Sequence, residues 1–450
     1  MTAKPTAGAP MGPRSSEAFA RARAVFPDGT TRVTVERDPA PRYMSHGAGA
    51  WLVDVDGQRF LDLNNNFTTL IHGHAFAPVT AAIERQLTRG TCFANPTEKE
   101  IELAALLCAR VPRLERVRFV NTGSEAVMFA IKAARAYTGR SAIAKIEGAY
   151  HGAYDWAEVS QHVGPASWGP QEAPASVPYY RGMPASVLGE VVSLRFNDAA
   201  GARARLAARA DDLAAVLLDP MPSRAGLIPP EPAFIAAIQE TARAHCILVI
   251  SDEVLSFRQD YHGAAQRYGL APDLFALGKI IGGGLPIGAV GGAAEVMAVF
   301  DASHGRPALP QGGTFSANPL SLVAGLASME ALDAAAFAHL ERLGDALRTR
   351  LAEAIEQHQA PLCVTGAASL FRIHPRRRAP REFREAHEGS AQAAVMKALS
   401  RCFAEQGVIL PAAAAACLST PMDRPELDLI VHAFERFLEQ HAALFAELDR

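Results

Sequence analysis

Lys279 is the only lysine between Lys145 and Lys397, and it directly precedes the glycine-rich run IIGGGLPIG at 280–288. A lysine at the end of an apolar segment, facing glycine backbone, can be partly desolvated, so that its amine stays neutral enough to attack a carbonyl. A solvated surface lysine would leave the same trace. Asp252 closes the apolar run ILVISD (247–252). A carboxylate there lies at the carboxyl edge of a sheet, where open α/β folds put their ligands, although a turn or helix-capping aspartate fits the position too. NTGSEA (121–126) sets Thr122, Gly123 and Ser124 ahead of a helix. Backbone N–H groups and hydroxyls at such a start make a phosphate seat; an ordinary N-cap followed by Glu125 has the same spelling. GAYHG (148–152) adds the flat ring of Tyr150 and the imidazole of His151, and GGTFSANPL (312–320) adds Thr314 ahead of another helix. Packing or turn roles stay open for both.

These groups need a scaffold, and the apolar pattern supplies one. Short runs at 117–120, 142–146, 213–219, 247–252 and 273–277 alternate with helical stretches at 125–137, 231–244 and 262–268. Strands separated by helical crossovers predict a mostly parallel sheet covered on both faces, which accounts for continuous Val, Ile, Leu and Ala. Before it, AWLVDVDGQRFLDL (50–63) reads as a hairpin turning at Asp56-Gly57, followed by helices at 78–90 and 98–110, the second capped by Thr97 with Glu100. The segment 153–195 is irregular and reads as a substrate-site or interface loop. After Pro319 a long helix runs past Arg348 with a break expected near Gly344. The rest reads as a small α+β unit: strands at 368–373, 408–410 and 417–419, helices at 390–406 and 424–442.

Composition excludes some roles. The formal net charge is −3, which argues against a nucleic-acid surface. The one dense basic run, Arg376, Arg377 and Arg378 with Arg381 and Arg384, reads as a solvated turn. No apolar run reaches membrane-spanning length. Six scattered cysteines without a CxxC pair predict no metal site and fit a cytoplasmic protein with reduced thiols; Cys108, Cys246 and Cys402 read as packing residues. Residues 1–18 lack a signal core and read as a flexible leader. Neither a GxxxxGK[ST] loop nor a GxGxxG after a first strand is present.

A phosphate seat, an aromatic plate, a carboxylate and an amine are the four groups that pyridoxal 5′-phosphate requires. Its ring nitrogen wants a partner acid and its aldehyde wants a lysine. The motifs as a set, NTGSEA, GAYHG, SDEV (251–254), LGKIIGGGLPIGA (277–289) and GGTFSANPL, resemble those of the class III, fold-type I aminotransferases. The branch they resemble contains glutamate-1-semialdehyde aminomutase and β-phenylalanine-type aminotransferases, and the resemblance spans nearly the whole chain. It implies a large domain over 76–335 with a mostly parallel sheet between helices. A small α+β domain would be built from 19–75 and 336–450.

By the same resemblance Lys279 would be the Schiff-base lysine, Asp252 the partner of the pyridine nitrogen, and Thr122, Gly123 and Ser124 the phosphate loop. Tyr150 would be the stacking ring with His151 beside it, Val254 the apolar residue on the other face, and Thr314 a phosphate ligand given by the neighbouring subunit of an obligate homodimer. The implied activity is transfer of an amino group between a carboxylate-bearing amino substrate, an amino acid of β-amino or aromatic type among them, and a 2-oxo acid. The same residues would serve an amino-acid racemase, an epimerase or an aminomutase.

Two departures stand out. Asp219-Pro220 replaces the family's usual Glu-Pro after the third strand. ILPAAAAACLST (409–420) lacks the arginine that many relatives place there for a carboxylate. Carboxylate recognition would then fall to Arg32 in FPDGTTRVT (26–34), with Arg37 and Arg42 as competitors and a plain surface arginine as the bland reading. An SPVRAF-like segment typical of the aminomutase is not matched. Phe67, Trp156 and Tyr179 are candidate pocket walls.

Overall fold

The computed structural model describes residues 12–35, 41–411 and 415–448. Arg37 and three alanines of the 409–420 segment, Ala412, Ala413 and Ala414, lie outside them, as does most of the leader. The hairpin forms where Asp56-Gly57 places it, from β2 (Trp51–Asp54) and β3 (Arg59–Asp62), with β1 (Met44–Ala48) added on its outer side. A helix over Pro13–Ala22 begins inside the stretch expected to be a flexible leader. Its physical cause is the hairpin turn: the Asp56 carboxylate accepts the N–H groups of Arg14 and Ser15 at 2.9 and 3.1 Å, satisfying donors that a helix start leaves open.

The central sheet has seven strands: β4 (Arg116–Val120), β5 (Ala142–Ile146), β6 (Val191–Leu194), β7 (Leu213–Leu218), β8 (Leu248–Asp252), β9 (Leu274–Gly278) and β10 (Gly288–Gly292). Their order is β4-β10-β9-β8-β7-β5-β6, and only β10 runs against its neighbours. Successive residues of each inner strand enter opposite cores. Val216 and Leu218 pack with one set of helices, Ala215 and Leu217 with the other. That two-sided burial is why the strands read as unbroken apolar runs.

Two strands of the central sheet were not visible in the pattern. GAVGG of β10 carries little side chain to read; a Cβ on Gly288 would collide with the Thr122 carbonyl, so the closeness of the strands selects glycine there. β6 is a four-residue edge strand hidden in the irregular 153–195 stretch.

Other expectations also need correction. Thr97 makes no cap hydrogen bond; the N–H of Glu100 goes to the Thr97 carbonyl at 3.1 Å, leaving the hydroxyl buried and unpartnered. The long helix does not break at Gly344. It divides between Pro319–Ala331 and Ala334–Gln357, bent by 72°, where Asp333 caps the second helix through the Ala336 N–H at 2.8 Å. Gly344 instead lets the Ala368 carbonyl approach. Cys246 is exposed, unlike Cys402, and all six cysteines are free. The basic run is no solvated turn throughout: Arg384 is buried against Glu147 at 2.7 Å, and Arg381 meets Glu231 at 2.6 Å. No single helix among the described residues is long and apolar enough to cross a membrane.

The C-terminal chain returns to the N-terminal one. β13 (Val408–Ile409) pairs in parallel with β3, while β11 (Cys363–Thr365), β12 (Leu370–His374) and β14 (Ala416–Cys417) form a separate three-stranded sheet. On β12, His374 is buried and its Nε2 bonds the Gly226 carbonyl at 3.0 Å. Burial above all, with Arg372 nearby, lowers its pKa to about 3. The unfolded chain, near the ordinary histidine value of about 6.5, therefore binds the proton first, so this contribution to stability is complete above pH 6.5 and is lost as pH falls toward 3. Unfolding free energy measured against pH should drop between about 6.5 and 5, and His374→Gln should flatten that slope by up to about 1.4 kcal/mol per pH unit. An unchanged slope in the variant would show that His374 does not titrate in this way.

Candidate active site

Lys279 follows the last residue of β9 and opens a tight turn over Lys279–Gly282. Its φ of +51° is a left-handed conformation that costs a non-glycine residue on the order of 1–3 kcal/mol and tends to mark functional positions. The side chain is flanked by two acids at the carboxyl ends of neighbouring strands, Asp252 of β8 and Asp219 just beyond β7. Burial outweighs their pull and lowers the amine to about 8, with the charge of Arg258 adding to the effect. Asp219 is itself pushed up to about 8, by burial and then by the charge of Asp252, while the Met221 N–H holds one of its oxygens at 3.0 Å. The shorter acid in place of the usual glutamate thus remains inside the network.

Asp252 is fixed from two sides. Its Oδ2 meets His151 Nδ1 at 2.7 Å and its Oδ1 accepts the Val254 N–H at 3.0 Å. His151 is 2% exposed, and burial lowers its pKa despite the hydrogen bond to Asp252. A neutral imidazole donating from Nδ1 satisfies the carboxylate and leaves Nε2, which has no partner among the described residues, as an acceptor.

The helix Gly123–Thr138 starts beside this pair. Thr122 is its N-cap, accepting the Glu125 N–H at 3.1 Å, so its hydroxyl is engaged within the loop. The first turn interlocks with the Tyr150 loop, since Ser124 Oγ accepts the Ala153 N–H at 3.1 Å. A Cβ on Gly152, whose φ is +86°, would lie 2.7 Å from Ser124 Cα. Val254 wedges between the helix start and Lys279: its Cγ1 would be 2.7 Å from a Cβ on Gly123 and 3.3 Å from one on Gly278. These glycines are places where only bare backbone fits. The open N–H groups of the helix start, the 53% exposed ring of Tyr150, the Asp252–His151 couple and the Lys279 amine make a cradle whose donor set fits pyridoxal phosphate.

Other candidates are placed differently. Thr314 is exposed beside Phe315, itself 61% exposed; its carbonyl faces Cys92 Sγ at 3.7 Å. No hydrogen bond joins it to the Lys279 cluster among the described residues. Arg32 is exposed, with Nη1 at 3.1 Å from Asn66 Oδ1 and its guanidinium 5.9 Å from the Phe67 ring centre. Asn65 through Thr68 all have positive φ, a turn tied to Asp62 and to Arg258. Arg42 packs on Phe60 and bonds Gln58, which gives it a place in the hairpin. Trp156 donates to Glu190 at 2.7 Å beneath Arg135, a packing position instead of a pocket wall. Tyr179 is 39% exposed.

Three basic residues escaped the sequence reading. Lys145 is wholly buried on β5, donates to the carbonyls of Ile146, Ala149 and Val159, and is lowered to about 7 by burial. It props the loop that carries Tyr150, and a lysine inside the apolar run AIAKI was the available signal. Arg258 is also fully buried. Arg224 lies with its guanidinium 5.4 Å from the Tyr150 ring centre.

A carboxyl-edge lysine, acid and phosphate cradle on this sheet define a pyridoxal-phosphate enzyme of fold type I, and comparison with known proteins agrees. The class-III aminotransferase family matches residues 33–427, and the chain belongs to it. Glutamate-1-semialdehyde 2,1-aminomutase of Heliobacterium modesticaldum is 35% identical over 441 residues, covering 96% of this chain and 98% of that protein. Among solved structures, an omega-transaminase from Sphaerobacter thermophilus is 48% identical with a TM-score of 0.93, over 95% of this chain and 98% of its own. A β-phenylalanine aminotransferase from Variovorax paradoxus is 30% identical with a TM-score of 0.84, over 96% and 95% of the two chains. The protein is accordingly a pyridoxal-phosphate-dependent transaminase acting on amino and oxo-acid substrates.

The lowered amine has a measurable consequence. Cofactor-stripped protein mixed with pyridoxal phosphate should develop its visible absorbance faster as pH rises, levelling above about 8, because the neutral amine is the attacking form. Asp252→Asn removes a charge that raises the amine's pKa and should move the midpoint lower; a midpoint near the free-lysine value of about 10.4 would contradict the desolvated placement. Gly152→Ala, strained at φ +86° and crowded against Ser124, should lose cofactor on dialysis, with retention read from the same absorbance.

Proposed function

We propose that Lys279 is the attachment amine and the proton-transfer base, that Asp252 braced by His151 faces the pyridine nitrogen, and that Gly123 and Ser124 seat the phosphate with Thr122 shaping their loop. Tyr150 and Val254 take the two faces of the ring. Bound pyridoxal phosphate supplies an electron sink for the charge left when the amine-bearing carbon loses its proton. Lys279 Nζ removes that proton and returns one, general acid–base work by a group held at short range. His151, kept neutral by burial, fixes the Asp252 carboxylate for the ring nitrogen. The buried neighbours of Lys279 keep water from competing for its proton.

For substrate, the reading is a carboxylate-bearing amino compound of β-amino or aromatic type, passing its amino group to a 2-oxo acid. What carries it is the likeness to the omega-transaminase from Sphaerobacter thermophilus over nearly the full chain, supported by that to the β-phenylalanine aminotransferase. The segment after β13 agrees: Ala415, Ala416 and Cys417 are buried and bring no arginine. Arg32, bonded to Asn66 and facing the Phe67 ring, is the proposed carboxylate anchor. The aminomutase is the second reading, favoured by the Heliobacterium relative.

Two chains would complete the site, as an obligate homodimer. Phe93, Ile101 and Phe315 are 48, 69 and 61% exposed, apolar side chains that a partner chain would cover, and Thr314 lies beside Cys92. The six free cysteines fit a cytoplasmic, reducing compartment.

The assay offers 3-amino-3-phenylpropanoate or alanine as donor with pyruvate or 2-oxoglutarate as acceptor. Transfer should favour the β-amino acid, and Lys279→Ala should lower it by about 10³–10⁴. Turnover of glutamate-1-semialdehyde to its isomer without acceptor, faster than any transfer, would favour the mutase instead. Arg32→Ala should raise KM about 10- to 100-fold for the β-amino acid and little for 1-phenylethylamine; equal effects would remove it as the anchor. Co-expressed Lys279→Ala and Thr314→Arg chains should regain activity that neither has alone, since a mixed dimer holds one intact site. No regain would argue against shared sites.

A further inference from the structure

We propose that Arg224 is a second carboxylate-binding residue of the substrate site, taking a small organic acid from the side of Tyr150; this rests on the transaminase reading above. Arg224 stands five residues beyond Asp219, in the loop that leaves the carboxyl end of β7. That end of the sheet is where Asp219, Asp252 and Lys279 share one electrostatic field. Its guanidinium sits 5.4 Å from the centre of the Tyr150 ring.

The loop is fixed on both sides of this residue. Arg372 Nη1 donates to the Ser223 carbonyl at 2.8 Å, and Thr365 Oγ1 and His374 Nε2 hold the Gly226 carbonyl at 2.7 and 3.0 Å. All three holders lie on β11 and β12, so the backbone at Arg224 is set by a separate sheet. A side chain rooted in a fixed backbone has less freedom to lose when it binds, which favours affinity.

The charge at Arg224 is uncompensated. Several arginines nearby are matched: Arg195 with Glu382 at 3.1 Å, Arg372 with Glu388 at 3.1 Å, Arg381 with Glu231 at 2.6 Å and Arg384 with Glu147 at 2.7 Å, while Arg376 donates to the His387 carbonyl at 2.8 Å. Arg224 meets no carboxylate among the described residues; its one hydrogen bond is a long one, 3.5 Å to the Gln161 carbonyl. It is half-buried, and its charge is felt at Lys145, whose amine is lowered chiefly by burial. A half-buried guanidinium fork with spare donors, beside an exposed aromatic ring, is built for an incoming carboxylate. An amino acid and an oxo acid must occupy this site in turn, and each brings one. If Arg32 serves as proposed above, the site would have two carboxylate-binding arginines on different elements, which suits a dicarboxylic acceptor as well as a monocarboxylic donor.

The test uses pyridoxal-phosphate-loaded full-length protein, and unreactive probes so that it does not depend on turnover. Calorimetric binding of 3-phenylpropanoate and of its amide is compared in the unaltered protein, Arg224→Gln and Arg224→Lys. Arg224→Gln should weaken the acid about 10- to 100-fold and the amide less than about twofold, with visible absorbance and cofactor retention unchanged. Arg224→Lys should recover only part of the loss, because a point charge cannot make the fork. An unaltered protein without preference for the acid, equal weakening of acid and amide, or a shifted absorbance band with released cofactor would overturn the assignment; the last two would make Arg224 a support for Tyr150. If the acid-specific loss appears in a protein that transfers no amino groups, the transaminase reading has failed and the carboxylate site stands.

Discussion

Arg258 is a fully buried guanidinium that meets no carboxylate among the described residues. Its nitrogens donate to the Thr68 carbonyl at 2.8 Å, the Ser369 hydroxyl at 3.1 Å and the Leu418 carbonyl at 2.5 Å. A buried charge carries a desolvation cost of several kcal/mol unless its donors are well satisfied. Here three segments from distant parts of the chain satisfy them at one point. The left-handed turn of Asn65–Thr68, the entry to β12 and the strand end after β14 are thereby brought to the rim of the site. The clamp is electrostatic as well as mechanical, because its charge adds to the forces that keep Lys279 from protonating.

That contribution belongs to a balance in which no group is set alone. Asp252 and Asp219 pull the Lys279 amine toward its charged form, and burial with Arg258 pulls it back. Burial and then the charge of Asp252 raise the cost of ionising Asp219. His151 holds the Asp252 carboxylate and stays neutral through burial. Interacting groups of this kind titrate together, so the state of the Lys279 amine is set jointly with that of Asp219.

Much of this was legible in the chain. Apolar runs ending in Asp252 and Lys279 fixed both the sheet and its functional edge, since strands buried on both faces leave an unmistakable trace and a polar residue at their end has few other places to be. The helix start at Gly123 and the loop that carries Tyr150 followed from segments rich in glycine. What stayed hidden depends on partners far away in sequence. GAVGG carries no side-chain pattern for β10. Thr97 had the spelling of a cap, but backbone took the donor it would have served. Gly344 was read as a breaker when its role is to admit the Ala368 carbonyl. Arg384 looked solvated because Glu147 lies 237 positions earlier, and nothing in DPMPSRAG revealed that Arg224 meets no carboxylate among the described residues. Charge pairing across a fold has no local signature.

The closure of Arg258 on Leu418 spans 160 positions, and Asn65 reaches Cys417 across 352. Contacts that distant are slow to form, because the entropy of closing the loop must be met before they reward it. During synthesis the large sheet can be complete while β13 and β14 are still inside the ribosome. The segment that completes the rim beside Lys279 arrives after the sheet on which it closes. A nascent chain is thus left for a time with a finished strand scaffold and an open edge at Lys279, until β13 and β14 follow.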